Sequence, residues 1–125
     1  MSKRKDVSES NFKVGDVLVG TTGYNRTITK WYKITKVTKS RVTVDELPVS
    51  YPTQYGSNTP GDICMPVIDG QVDPKCPFYF GDYGLDKDVS CFVYDSPYQE
   101  YIKTPGDYGI RLRQWDGAPG WVNCD

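Results

Sequence analysis

Short runs of alternating apolar and polar residues, separated by turns rich in Gly, Pro and Asp, make up most of the chain. The clearest run, Ile28 to Thr38, is rich in β-branched and aromatic residues, and Arg41 to Leu47 follows it after a tight Lys39-Ser40 turn. Such runs are typical of strands, because successive side chains of a strand point to opposite faces. The lysines of the first run do not keep a period of two, which predicts a β-bulge near Trp31–Lys33.

The same pattern predicts shorter strands on both sides of this hairpin. One of them contains Pro66 and is expected at a sheet edge, because proline cannot donate to a ladder. In another of these strands, Ile110 and Leu112 are expected to share one face, and Arg111 and Arg113 the opposite face. The remaining predicted segments are strands at 17–19, 62–68, 89–94, 108–115 and 121–124, a strand or one helical turn at 98–103, and a hairpin loop at 116–120.

These segments predict an all-β fold, since no amphipathic helix longer than about two turns can be drawn. We expect a small, partly open antiparallel β-barrel of about five to seven strands with long loops, SH3-like in its N-terminal half. At 125 residues the chain is one domain. Residues 1–11 are polar and are predicted to be a disordered tail, which leaves residues 12–125 as a single barrel domain.

Charge is divided unevenly along the chain. The first 48 residues contain ten Lys or Arg and five Asp or Glu, which gives a net charge of +5. The remaining residues contain five Lys or Arg and eleven Asp or Glu, which gives a net charge of −6. No apolar run is long enough for a transmembrane helix or a secretory signal, so a cytoplasmic location is expected, with no membrane partner. The overall pI near 5.4 argues against a dedicated nucleic-acid-binding protein.

Histidine is absent from the chain. This excludes Ser/His and Cys/His catalytic arrangements and removes the commonest metal ligand. The four cysteines contain no C-x-x-C pair, so they favour reduced thiols over disulfides or a zinc site. We therefore expect a protein that is not an enzyme and carries no metal or cofactor.

One candidate binding surface is a basic, aromatic face of the N-terminal half. Cations near exposed rings can follow phosphates and stack on bases, as in other small barrels. The alternative interpretation is that the tryptophan belongs to the core and the lysines only solvate the sheet. The residues concerned are Tyr24, Arg26, Lys30, Trp31, Lys33 and Lys36.

A second candidate surface is the outer face of a late strand, with Arg111, Arg113 and Trp115. Alternate residues lie about 7 Å apart along a strand, a spacing at which two guanidinium groups suit a phosphate or carboxylate partner. The alternative is that these arginines pair with acids on neighbouring strands.

Two further surfaces are weaker candidates. An acid-rich region between residues 62 and 107 could imitate a nucleic-acid backbone, although most of its Asp residues also suit ordinary turns. Aromatic rings could line a pocket for a nucleotide or simply cover the core. These rings are Tyr51, Tyr55, Tyr79, Tyr83, Tyr94, Tyr98 and Tyr101.

Four places in the chain resemble a family of small uncharacterised proteins of bacteriophages and prophages. That family combines a Gly-Tyr-Asp loop, an aromatic strand and a closing Trp-Asp-Gly-Lys-Pro turn. Here Asn25 stands where that family has Asp, and Ala118 stands where it has Lys. The matching stretches are Val14 to Val19, Gly23 to Thr27, Trp31 to Ile34 with the hairpin Arg41 to Val44, and Leu112 to Pro119.

The resemblance implies a phage accessory protein that acts in the host cytoplasm. Our first hypothesis is a non-catalytic protein that binds a host protein or a small, nucleotide-like signalling molecule and so inhibits an antiviral defence system. The alternative hypothesis is a nucleic-acid-binding barrel that uses the basic N-terminal half. The sequence leaves the oligomeric state open.

Overall fold

The structure is a computed structural model that describes residues 3–22, 26–53, 63–79, 84–106, 109–121 and 123–124, with only the backbone for residues 22, 26–28, 121, 123 and 124. Within these residues there is no α-helix, and a short 3-10 turn covers Val7–Glu9. The strands are β1 (Lys3–Lys5), β2 (Val17–Thr22), β3 (Arg26–Val37), β4 (Arg41–Glu46), β5 (Val49–Ser50), β6 (Ile63–Pro66), β7 (Val89–Asp95), β8 (Tyr101–Lys103), β9 (Arg111–Gln114), β10 (Gly120–Trp121) and β11 (Asn123–Cys124).

The main body is an antiparallel β-barrel, which confirms the predicted all-β class. Its described strands follow the order β7-β4-β3-β2-β9-β8, and pairing of β8 with β7 closes the ring. The barrel is therefore closed rather than partly open as expected. Closure is possible because one edge of β7 pairs first with β4 and then with β1, which leaves the other edge free for β8. A closed barrel removes exposed sheet edges.

Alternation along the strands fills the barrel interior. Leu18, Tyr32 and Ile34 lie inside, and so do Val42 and Val44, as predicted for the returning strand of the first hairpin. The remaining interior side chains include Cys91, Val93, Ile102 and Leu112, with Ile110 packed against them. The bulge of β3 lies between Ile34 and Lys36, slightly later in the strand than predicted.

Close packing of β2 against β9 requires a glycine at position 20. A Cβ atom there would lie 2.6 Å from the carbonyl oxygen of Arg111 and 2.7 Å from Ile110. Only a residue without a side chain allows this approach. Gly20 therefore helps to set the position of β9, the strand that carries one of the candidate surfaces.

A small sheet in the order β10-β6-β5 covers part of the barrel's outer surface. Between this sheet and the barrel lies a second apolar cluster, built around Val19, Trp31, Leu47 and Cys64. The predicted edge position of the strand containing Pro66 is wrong, because β6 is the central strand. Pro66 is its last residue, where a missing N–H interrupts the ladder least.

The segment at 116–120 is not a hairpin loop. It connects β9, in the barrel, with β10, in the small sheet, so the chain changes sheets there. It carries the chain from the barrel to the small sheet beside Trp31. The SH3-like character of the N-terminal half stays a prediction.

Residues 3–11 differ from the expected disordered tail. They form β1 and the 3-10 turn, and the buried Val7 donates its N–H to the carbonyl of Lys39 at 2.8 Å. Glu100 holds the segment from both ends, with an ion pair to Lys5 at 2.6 Å and a hydrogen bond from the Asn11 N–H at 2.6 Å. Burial of one valine side chain is worth about 1.5–3 kcal/mol, which helps to offset the entropy of ordering.

Candidate functional site

The members of the first candidate surface whose side chains are described are not gathered on one face. Trp31 is fully buried in the second cluster, as the alternative interpretation predicted. Lys33 contacts Asp69, with 2.9 Å between Nζ and Oδ1. By alternation Lys30 belongs with Tyr32 on the side of β3 that faces the barrel interior, and it is partly buried.

The other members of that surface add little to it. Lys36 follows the bulge and is exposed opposite Thr43 of β4. Tyr24 lies outside the described residues, and only the backbone of Arg26 is described. The three lysines of this surface, Lys30, Lys33 and Lys36, therefore lie at separate positions on β3 and do not form one basic patch.

The second candidate surface is formed, with Arg111, Arg113 and Trp115 projecting outward. Leu112 between the two arginines is fully buried in the barrel, so both arginines must face outward and both are exposed. The end of β9 is anchored by Gln114, whose Nε2 donates to Asp16 Oδ2 at 2.9 Å. The guanidinium groups therefore project from a fixed strand.

A cleft of about 490 Å³ opens beside this strand, and we name it the β9 cleft. Its volume lies within the range of small-molecule sites. None of the described residues that line it is an Asp or Glu. The side chains that line it include Thr21, Ser96, Tyr98, Tyr101, Arg111 and Arg113.

An ordered turn presents Tyr98 at the cleft. The ring is 95% exposed. The turn beneath it is closed by Ser96, whose hydroxyl accepts from the N–H of Gln99 at 3.2 Å and donates to the Gln99 carbonyl at 2.6 Å. The turn therefore fixes the backbone position from which the exposed tyrosine ring can reach a ligand.

The inner wall of the cleft combines a cation with stacked rings. The guanidinium of Arg111 lies 4.8 Å from the ring centroid of Tyr101, and Tyr101 stacks on Tyr94 at 5.4 Å with an interplanar angle of 16°. In the described part of the chain, ion pairs involve Lys5 and Lys33 but neither Arg111 nor Arg113. Pairing of these arginines with neighbouring acids is therefore not observed among the described residues.

A second, smaller cavity of about 300 Å³ adjoins the β9 cleft, since Thr21 and Arg113 line both. Its base is Trp31, which meets Trp115 edge to face with ring centroids 6.3 Å apart. Trp115 donates its indole N–H to the carbonyl of Ala118 at 2.7 Å, whereas the buried Nε1 of Trp31 finds no partner among the described residues. The aromatic pair thus lines the cavity that adjoins the β9 cleft.

The tyrosines proposed as a pocket are divided between different regions. Tyr94, Tyr98 and Tyr101 contribute to the face described above, while Tyr51 packs into the second cluster and Tyr79 is exposed elsewhere. Tyr55 and Tyr83 lie outside the described residues. The acid-rich region also falls partly outside them.

The described thiols are buried and free. Burial raises the pKa of Cys64 to about 11 and that of Cys91 to about 12, and it also raises the pKa of Cys76. Thiols with such values are protonated, and hence weak nucleophiles, near neutral pH. Among the described residues no group of three or more Cys, Asp or Glu side chains is placed to hold a metal ion.

The sequence identified the two arginines and the tyrosines but did not bring them into one site. A usable signal existed, because Tyr101 and Lys103 alternate on the strand that directly precedes the Arg111–Arg113 strand. Consecutive antiparallel strands commonly pair, which places these side chains next to each other. In the structure Lys103 lies opposite Arg111 in the ladder.

Comparison of the chain with models of known families, with curated proteins and with solved structures found no match. No helix among the described residues is long and apolar enough to cross a membrane.

Proposed function

We propose that the protein is a non-catalytic binding protein whose β9 cleft binds a nucleotide-like ligand. In this proposal Arg111 and Arg113 bind the phosphate and Tyr98 stacks on the base. The observation that carries it is a single cleft with one exposed tyrosine and two guanidinium groups that have no acidic partner among the described residues. The resemblance to phage accessory proteins supports a role in which such binding removes a host signalling molecule.

The two arginines favour a phosphate-bearing ligand. A guanidinium group presents a rigid fork of donors that matches the oxygens of a phosphate, and its hydrogen bonds to an anion are about twice as strong as neutral ones. In the described residues the Arg111 group is oriented by the ring of Tyr101 rather than neutralised by a carboxylate. Its charge is therefore available to an incoming anion.

The exposed ring favours a ligand with a flat aromatic part. Stacking of a base on an aromatic side chain is worth about 1–3 kcal/mol. The Ser96 turn fixes the backbone that carries Tyr98, and a tyrosine side chain has only two χ angles to order when its ring is covered. A phosphate at the arginines and a base at Tyr98 together describe a nucleotide.

Binding rather than catalysis is supported by the chemistry of the side chains. The chain has no histidine. The described thiols are buried, with raised pKa values. The cleft instead offers hydrogen-bond donors and rings, which are the groups of a recognition site. In the other version of this binding hypothesis, the ligand is a host protein instead of a small molecule.

Calorimetric titration with each of the four ribonucleoside 5′-monophosphates tests the proposal. We expect R111Q/R113Q to lower the affinity at least about tenfold, since a hydrogen bond to a charged group is worth about 1.5–3 kcal/mol. Tyr98→Ala should weaken binding by a comparable factor without changing the melting temperature. The matched control is K75Q/K87Q, which removes the same charge at exposed positions outside the cleft.

Two results would overturn the proposal. One is the absence of binding to the unmodified protein for every nucleotide tested. The other is equal affinity for the R111Q/R113Q and K75Q/K87Q variants, which would show that overall charge, and not the cleft, determines binding.

A further inference from the structure

A second cationic cleft, of about 390 Å³, lies on the other side of β8 from the β9 cleft. We name it the Phe92 cleft. Among its described lining residues there is again no Asp or Glu. Its side chains include Arg4, Arg41, Ser90, Phe92, Tyr94 and Lys103.

Two guanidinium groups meet at one ring in this cleft. Arg4 lies 3.8 Å and Arg41 4.6 Å from the centroid of Phe92. Arg41 also donates to Ser90 Oγ at 3.3 Å, but neither arginine forms an ion pair among the described residues. Both guanidinium groups thus lack a carboxylate partner in the described part of the chain, and a bound anion would supply the missing counter-charge.

The two clefts belong to one continuous face. In the ladders Lys103 of β8 lies opposite Phe92 of β7 on one side and Arg111 of β9 on the other. Neighbouring strands are about 4.8 Å apart, so the rows that carry Phe92 and Arg111 are about 10 Å apart. This face, the cation–aromatic face, contains Arg4, Arg41, Lys103, Arg111 and Arg113 with Phe92, Tyr94, Tyr98 and Tyr101.

We infer that the cation–aromatic face binds a single strand of nucleic acid that crosses β8 and places phosphates in both clefts. The inference rests on the proposed function, because the β9 cleft supplies one half of the surface. A ligand with one phosphate group satisfies one cluster of cations, whereas a strand carries a phosphate at every nucleotide. Unpaired bases are favoured over a duplex because aromatic side chains stack on bases that are free of partners.

Fluorescence anisotropy with a labelled oligothymidylate of about 12 nucleotides tests the inference, since such length matches known sites on small barrels. The key variant is R4Q/R41Q, in which the glutamine stems still cover Phe92, and the matched control is again K75Q/K87Q. We expect R4Q/R41Q to weaken oligonucleotide binding at least about tenfold. Each lost phosphate contact should also reduce the slope of log K against log salt by about 0.7.

The same variants separate this inference from the proposed function. Mononucleotide binding should be unchanged in R4Q/R41Q and lost in R111Q/R113Q. The inference is overturned if mononucleotides bind but the oligothymidylate binds no more tightly than they do. It is also overturned if R4Q/R41Q binds the oligothymidylate as tightly as K75Q/K87Q does. Tighter binding to the corresponding duplex would also overturn it. If R4Q/R41Q does not fold, Lys103→Gln removes the central cation and the same outcomes apply.

Discussion

The barrel's outer surface has two regions that both carry large aromatic rings, but the small sheet covers only one of them in the described part of the chain. On the β2–β3 side, outward residues such as Val19 and Trp31 are covered by the small sheet. On the β7–β8–β9 side, outward residues such as Phe92 and Arg111 have no sheet above them in the described part of the chain. Both regions contain large aromatic rings, so aromatic content alone does not decide which surface is covered.

The difference lies in the neighbours of the rings. Trp31 lies opposite Val19 in the ladder, and the two form an apolar patch whose burial is favourable. Phe92 lies opposite Arg41 and Lys103, and covering these cations would strip their charges of water without a partner. A face of rings and cations is therefore stable uncovered, and it is also the face suited to an anionic ligand.

The largest expected effect tests the covered region. Trp31→Ala should lower the free energy of unfolding by about 3–5 kcal/mol, because it removes a fully buried indole and leaves a cavity beneath the small sheet. Tyr98→Ala, on the uncovered side, should change it by less than about 0.5 kcal/mol. Urea unfolding of both variants measures the difference, and Trp31→Phe serves if the alanine variant does not fold.

Similar decreases in the free energy of unfolding for Trp31→Ala and Tyr98→Ala would contradict the comparison between the two regions. That result would mean that the small sheet does not bury Trp31 in solution. The same would follow if Trp31→Ala left the unfolding free energy almost unchanged.

A moderate effect is expected where the small sheet touches the barrel. A Cβ atom at Gly120 would lie 2.9 Å from Cη2 of Trp31 and 3.0 Å from Thr29. Gly120→Ala should therefore cost about 1–3 kcal/mol through overpacking. Thermal unfolding measures this loss, and mononucleotide affinity of the variant checks that the effect stays on the covered side. A neutral substitution would show that the two layers are loosely packed.

The last effect appears only at alkaline pH and concerns the thiol between the two layers. Burial raises the pKa of Cys64 to about 11, above the value of about 8.5 for an unfolded cysteine. Folding then favours the protonated thiol, so its contribution to stability is complete below pH 8.5 and disappears as the pH rises through 11. The slope is at most about 1.4 kcal/mol per pH unit.

Cys64→Ala should therefore lose stability less steeply than the unmodified protein between about pH 8.5 and 10.5. Urea titrations in the presence of a reductant measure both slopes. Equal slopes would contradict burial of Cys64 between the layers.

Much of the fold followed from short-range pattern. The β3–β4 hairpin, the inward Val42 and Val44, and the outward arginines of β9 could all be predicted, because alternation on a strand is a local property. The closed ring could not be predicted, since it depends on the length over which β7 pairs with three other strands. The central position of β6 likewise depends on a strand far along the sequence.

The candidate site was predicted in parts. Arg111, Arg113 and Trp115 were identified from their spacing, and Tyr98 and Tyr101 only as members of a larger set of tyrosines. Arg4 was assigned to a disordered tail, because a polar segment of eleven residues gives no local sign that Val7 will be buried. Among the described residues, the lysines expected to form a basic face on β3 are not gathered on one side, and Trp31 between them lies beneath another sheet.

The sequence by itself determined the all-β class, the first hairpin and which side chains share a strand face, because these depend on neighbours within a few residues. The tertiary structure decided which of those faces is covered and which cations lie together. Arg4, Arg41, Lys103 and Arg111 come from four strands spread over most of the chain, and antiparallel pairing brings those strands side by side. Such proximity arises from non-local pairing, which a local pattern of residues does not encode.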